Sequence, residues 1–231
     1  MRDPLSLLFM LALPLFMEIL FYFIFHKLTP QFEMRYLAPG IVVFSQAFLS
    51  LFSGLLIALD KATAFLTRLF VSKTKPFEFI FGYALALLPI TAVQSVLFFL
   101  AGGIIEPALF GVGMLRGVLV SVVTSFFYIG LGILFGSICN EKSVGGVASI
   151  FIMCQSVLSG MWFPLEGMSR GFVAFLQALP FKNATDLVQN ALNGSANPVA
   201  DFWRPLAILL GYAALAFFAA ILCFRRRMIE K

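Results

Sequence analysis

The stretch GVLVSVVTSFFYIGLGILFGSI, Gly117 to Ile138, contains no Asp, Glu, Lys, Arg, His or Pro. At a rise of 1.5 Å per residue it forms a helix of about 33 Å, enough to cross a hydrocarbon core of about 30 Å. It ends at Cys139-Asn140-Glu141-Lys142-Ser143, a tight polar turn, and the apolar character resumes from Val144 to Phe163. Two apolar runs joined by so short a polar turn form a hairpin that crosses a membrane twice. Working outward, four further stretches have the same character: Leu5–Phe25, Leu37–Leu59, Phe79–Ile104 and Pro205–Phe224. None alternates apolar and polar residues with period two over ten positions, which argues against a β-barrel. The pattern therefore predicts an all-α integral membrane protein of six transmembrane helices in one domain spanning residues 1–231.

Composition agrees. Of 231 residues, 61% are hydrophobic and 12% charged, with a mean hydropathy of +1.00. A soluble domain carries about 25% charged residues and cannot hide this much apolar surface in one core. The net charge of +5 would suggest nucleic acid in a soluble protein. Here basic residues flanking spans account for it, so no nucleic-acid partner is expected. Three scattered cysteines, Cys139, Cys154 and Cys223, show neither disulfide nor zinc spacing. The first apolar stretch is too long for a signal peptide and lacks a small-residue cleavage site, so it reads as a span.

Orientation follows from Lys and Arg. With both termini inside, ten basic residues lie on the cytoplasmic side, led by Arg225-Arg226-Arg227 and the 60–78 loop, against six outside. Trp162 and Trp203 then fall at the outer interface. The cytoplasmic loop Asp60–Glu78 alternates apolar Phe65 and Leu69 with basic Lys61, Arg68 and Lys73. This reads as a short amphipathic helix at the membrane face, either an anchor to anionic lipid or a docking helix. The external segment Pro164–Arg204 includes two pieces, 166–178 and 184–192, that are too short and too polar to span. They lie on the surface or dip back partway where protein or water shields their backbone ends.

Catalytic signatures are absent from the sequence. There is no G-x-x-x-x-G-K-[ST] loop for ATP phosphates and no H-E-x-x-H. The single histidine, His26, sits at a span end. No metal site, no bound cofactor and no enzyme activity are expected. Glu18 is the one acidic residue deep in a span. It costs about 2.5–3.5 kcal/mol at the bilayer centre, against about 0.3–0.6 kcal/mol returned by each Leu, Ile or Phe. Fourteen such residues between Leu5 and Phe25 carry the span in regardless. Glu18 is either a polar point on a substrate path or a carboxyl bonded to a neighbouring helix. Gln46, Gln94 and Gln155 are further candidates for that path, with interhelical hydrogen bonding the default account. Gly130 and Gly132-x-x-x-Gly136 put small residues on one face for close helix packing, and Pro14 should kink the first span.

These residues together resemble the ABC-2 type permeases, the membrane subunits of drug and polysaccharide exporters. The likeness runs from Arg2-Asp3-Pro4 and Pro14, through Tyr36-x-x-Pro39-Gly40-Ile41, to Asp60-Lys61 with Arg68-Leu69 and Gly82-Tyr83. Its most specific part is Ser159-Gly160-Met161-Trp162-Phe163-Pro164-Leu165-Glu166-Gly167-Met168, followed by Leu179-Pro180 and Asp186.

The resemblance implies a dimer of permease chains, alike or unlike, in the cell (inner) membrane, with two separate nucleotide-binding subunits that carry ATP and Mg2+. Those subunits would dock against a coupling helix containing Asp60, Lys61, Phe65, Arg68, Leu69 and Lys73, and against the turn Asn140, Glu141 and Lys142. Gly160, Phe163, Pro164, Glu166, Pro180 and Asp186 would belong to external re-entrant helices that gate the exit. The family usually has an amphipathic helix before the first span; here almost nothing precedes Pro4. This favours a short-ended or truncated chain, and a drug-like or lipid-like hydrophobic small molecule as cargo. The alternatives are a polysaccharide or other glycoconjugate exporter of the same family, or a stand-alone carrier or channel.

Overall fold

The computed structural model describes residues 4–62, 76–163 and 167–229. Helix α1 runs Pro4–Phe25, α2 Met34–Ala62, α3 Pro76–Ile105 and α4 Val112–Ile138; then come α5 Glu141–Leu158, α6 Arg170–Ala178, α7 Pro180–Asn193 and α8 Arg204–Ile229. Short 3-10 turns at Pro30–Phe32 and Pro107–Leu109 join α1 to α2 and α3 to α4, and a π turn at Val199–Trp203 leads into α8. The described residues form helix and connecting turns, as a chain without water to satisfy its backbone requires.

Among the described residues, four helical segments are long and apolar enough to cross a membrane: Met34–Lys61, Phe77–Ile105, Val112–Ile138 and Val199–Arg225. Helix α1, Pro4–Phe25, is 22 residues long and carries one charged residue, Glu18. In α5, 18 residues long, Glu141 and Lys142 open the helix and Gln155 is buried within it. The expected fifth span, 144–163, ends early, at Leu158. Beyond it Gly160 takes φ +69°, a left-handed backbone that stops the helix and that glycine adopts without a Cβ clash.

Helix α2 is the centre of the molecule. It packs against α1, α3, α4, α5 and α7, and Leu37, Ile41, Val42 and Val43 are fully enclosed. Its closest partner is α4, and glycines set the distance. A Cβ built on Gly132 would lie 1.8 Å from Ser53 Oγ and 2.3 Å from the Ser50 carbonyl; one on Gly136 would lie 2.5 Å from the Gly54 carbonyl. The two backbones touch. Gly130 does not share that face, contrary to the sequence expectation: it meets Phe217 and Ala216 of α8. Two residues on a 3.6-residue period point to nearly opposite sides, so Gly130 serves a second contact.

Pro39 lies inside α2 and has no N–H to give the Arg35 carbonyl. Helix α7 makes up the loss. Asn193 Nδ2 donates to the Arg35 carbonyl at 2.9 Å, and Gln189 Nε2 donates to the Tyr36 carbonyl at 3.0 Å. The apolar side of α7 (Phe181, Ala184, Leu187, Val188) completes the same core cluster.

Candidate functional site

Three groups of residues were singled out by sequence: polar residues inside spans, the external segment, and the end of α2 with the α4–α5 turn.

The intramembrane polar residues form a buried seam among α2, α3 and α4. Gln46 Nε2 donates to the Ser121 carbonyl at 2.7 Å, and Thr124 Oγ1 donates to Gln46 Oε1 at 2.9 Å. Ser121 Oγ donates to Ser95 Oγ at 2.7 Å, and Gln94 Nε2 reaches the Ser45 carbonyl at 3.5 Å. Tyr128 OH donates to Gln155 Oε1 at 2.8 Å, tying α4 to α5. These bonds join helices, as apolar surroundings favour for groups that cannot reach water. Glu18 is fully buried, and a Cβ on Gly102 of α3 would lie 3.1 Å from its Oε1, 3.2 Å from Ala38 Cβ and 3.2 Å from Met34 Cγ. Among the described residues neither Glu18 oxygen nor Gln155 Nε2 has a hydrogen-bond partner.

In the external segment, Trp162 turns inward. Its ring meets Phe21 at 4.7 Å, with Phe32 and Phe44 close by, and its Nε1 donates to Ser156 Oγ at 2.8 Å. The neighbouring Met161 packs on Gly40, and Gln31 Nε2 donates to the Phe163 carbonyl at 2.6 Å. Gly160 is the bend itself, and the Phe163 side chain is exposed. Pro164 and Glu166 lie outside the described residues. Pro180 opens α7 at its first position, where a missing N–H costs nothing. One turn on, Lys182 Nζ pairs with Asp186 Oδ1 at 2.6 Å. Burial pushes the Asp186 carboxyl above its ordinary range, and the Lys182 ammonium beside it opposes that shift. Asn183 Nδ2 donates to the Gln177 and Leu179 carbonyls, closing the end of α6.

At the end of α2, Lys61 does something its sequence position does not announce. Its Nζ donates to the carbonyls of Gly136 at 2.6 Å, Ser137 at 2.9 Å and Cys139 at 2.7 Å. These are carbonyls at the C-terminus of α4, where a helix lacks its own donors and carries partial negative charge. The preceding residue, Asp60, accepts from Tyr83 OH of α3. Asn140 caps α5, its Oδ1 accepting from the Ser143 N–H at 2.9 Å, with the Ser143 hydroxyl on the same oxygen. Glu141 and Lys142 follow, both exposed. The end of α2 and the α4–α5 turn, read as separate in the sequence, are thus one cluster. Phe65, Arg68, Leu69 and Lys73 lie outside the described residues.

Among the described residues no three of His, Cys, Asp and Glu come together as a metal site.

The ABC-2 type transporter family profile matches residues 1–193, most of the chain. The chain belongs to the ABC-2 type transporter family. The resemblance read from the residues is therefore correct, and the protein is a multi-pass membrane permease. ABC-2 permeases are not themselves catalytic and work with ATP-binding subunits in ABC transporters. This permease is also 35% identical over 82 residues to nodulation protein J of Neorhizobium galegae, a match that covers 36% of the chain and 30% of that protein. The match therefore spans under a third of the relative's length.

Proposed function

We propose that this permease exports a hydrophobic small molecule, drug-like or lipid-like, from the cytoplasm or inner leaflet. Two copies, or one copy and an unlike partner, form the pathway in the cell membrane. Separate nucleotide-binding subunits hold ATP and Mg2+ and drive alternating access. Residues 1–231 act as one transmembrane domain of six spans with both termini cytoplasmic; α1 and α5 are the two spans added to the four long apolar segments. Helices α6 and α7 are the external re-entrant pair, and Gly160 with Phe163, Pro164, Glu166, Pro180 and Asp186 shapes the exit.

The observation that supports this reading most is the cluster at the end of α2, within a chain whose family works with ATP-binding subunits. It joins the end of α2, where the expected coupling segment begins, to the α4–α5 turn. Phe65, Arg68, Leu69 and Lys73, together with Asn140, Glu141 and Lys142, are the docking residues, and Asp60 and Lys61 tie the end of α2 to α3 and α4. The cargo reading draws on the uncovered surface of α5, where Ile150, Met153 and Val157 are exposed. Such a face suits an apolar cargo. Gln46 is engaged at both its amide nitrogen and its oxygen inside the chain. Glu18, Gln94 and Gln155, each with a buried atom still unpartnered among the described residues, are the polar points an incoming cargo would meet once helices part.

The test is co-purification of an ATP-binding subunit with the tagged permease, followed by reconstitution in proteoliposomes. ATP-dependent efflux of a hydrophobic dye, with ATPase stimulation by the same dye, is expected. Transport by the permease alone on an ion gradient would overturn the reading. Stimulation by a lipid-linked saccharide and by no hydrophobic small molecule would replace the cargo assignment with the glycoconjugate one.

A further inference from the structure

Each of the three protons on the Lys61 ammonium has a carbonyl acceptor at the end of α4. A helix C-terminus is ordinarily satisfied by water, by its own chain or by a local basic residue. Here the cation comes from another helix, 75 to 78 residues away in sequence. The third carbonyl, that of Cys139, is covalently next to Asn140, which caps α5. No free residue separates the clamped atom from the first turn of α5.

The surroundings remove the other ways these parts could slip. Asp60, adjacent to Lys61, holds Tyr83 of α3. Two turns back, Gly54 meets the Gly132 carbonyl and Gly136 with no side chain between them. Backbone contact of that kind resists sliding and closer approach, because a shift of a few tenths of an ångström drives atoms into overlap. The end of α2 is therefore fixed laterally by glycine packing and axially by one ammonium.

We propose that Lys61 is the positioning residue that makes the end of α2 and the α4–α5 turn move as one body, so that force applied at Asn140–Lys142 reaches α2, the helix at the centre of the fold. This rests on the reading that an ATP-binding subunit presses on that turn. Lys61 touches neither cargo nor nucleotide. Its ammonium converts the orphaned end of α4 into a joint, and without it the turn yields locally while α2 stays where it is.

The test uses the permease assembled with its ATP-binding subunit in proteoliposomes, comparing wild type, Lys61→Met and Lys61→Arg. Read at saturating ATP-binding subunit, so that occupancy is equal, Lys61→Met is expected to lower cargo moved per ATP at least fivefold. Lys61→Arg, which keeps the charge and several donors, restores the ratio to within twofold of wild type. A merely stabilising residue would lower protein yield or unfolding temperature and leave that ratio unchanged; that outcome overturns the proposal.

A second measurement needs no partner. Spin labels at Leu59 and Lys142, in a full-length cysteine-free permease, give one narrow distance in wild type and a distribution at least twice as broad in Lys61→Gln. Equal widths overturn the clamp. Absence of any ATP-binding subunit from the wild-type preparation sinks the export reading instead, and the distance measurement still decides the clamp by itself.

Discussion

At the scale of single residues, the glycines separate into those that hold helices together and those that do not. A methyl group on Gly132 would fall 1.8 Å from Ser53 Oγ and 2.3 Å from a backbone carbonyl, and a carbonyl cannot rotate aside as a side chain can. Gly132→Ala should therefore push α2 from α4 and cost about 3 kcal/mol, the upper end of overpacking penalties. Gly145 on α5 meets nothing within 4 Å, so Gly145→Ala should be neutral or gain up to about 1 kcal/mol of helix propensity. Thermal unfolding in nanodiscs compares the two; equal effects would contradict the packing described. The Lys182–Asp186 pair gives a pH-dependent case. Burial raises the Asp186 carboxyl and Lys182 counters it. A carboxyl with a raised folded-state pKa stabilises the fold while protonated, below the unfolded value, and loses that contribution as pH rises through the raised value. Lys182→Met leaves the Asp186 anion without its partner, and since 28% of the Asp186 side chain is exposed, the cost should be about 2 kcal/mol near pH 7, below that of a fully buried pair. Lowering the pH toward about 4 protonates the carboxyl and should shrink that deficit. A deficit that instead grows on acidification would refute this account.

At the scale of elements, α2 and α7 show how a proline inside a helix is accommodated. Asn193 supplies the donor that Pro39 withholds from the Arg35 carbonyl. In wild type, Pro39→Ala adds an N–H that finds its acceptor already taken. In Asn193→Ala the same substitution restores the missing bond, so it should be more favourable there by about 0.5–1 kcal/mol, read by a double-mutant cycle on unfolding. Additivity within error would show that the two residues do not share the carbonyl. The element boundaries themselves were largely readable from sequence, because apolar length alone sets them. Leu37–Leu59, Phe79–Ile104 and Gly117–Ile138 each fall inside the observed helices, which run a few residues longer. The fifth stretch was overestimated, since Met161, Trp162 and Phe163 are apolar without being helical. Met161 and Trp162 fold back onto α1 and α2, with Trp162 on Phe21 and Met161 on Gly40, while Phe163 stays exposed. Hydropathy cannot distinguish a residue facing lipid from one folded under a neighbouring helix. Lys61 was hidden for a related reason. A lysine after an apolar run looks the same whether water or a helix end receives it, and nothing between Gly136 and Cys139 marks those carbonyls as its acceptors.

At the scale of the whole molecule, a docking surface and an internal joint must fail differently, and mass action separates them. Arg68, in the stretch read as a coupling helix, and Lys142, exposed at the start of α5, are the two cations proposed to face the ATP-binding subunit. Reversing both charges, Arg68→Glu with Lys142→Glu, should weaken association by roughly ten- to a hundredfold, at about 1.4 kcal/mol per tenfold. A loss of affinity is recovered by excess partner, since occupancy depends on concentration relative to Kd. Adding ATP-binding subunit to proteoliposomes of the double variant should therefore return transport toward wild type, with cargo moved per ATP normal throughout. The deficit relative to wild type should also shrink as salt is raised, because the attraction lost and the repulsion introduced are both screened. Lys61→Met should respond to neither manipulation: its partner is already bound, and the fault lies between the turn and α2. If excess subunit rescues Lys61→Met as well, then Lys61 acts at the surface and the three carbonyl bonds are not a transmission element. If excess subunit fails to rescue Arg68→Glu with Lys142→Glu although binding is measured as saturated, the docking assignment of those two residues is the part that falls.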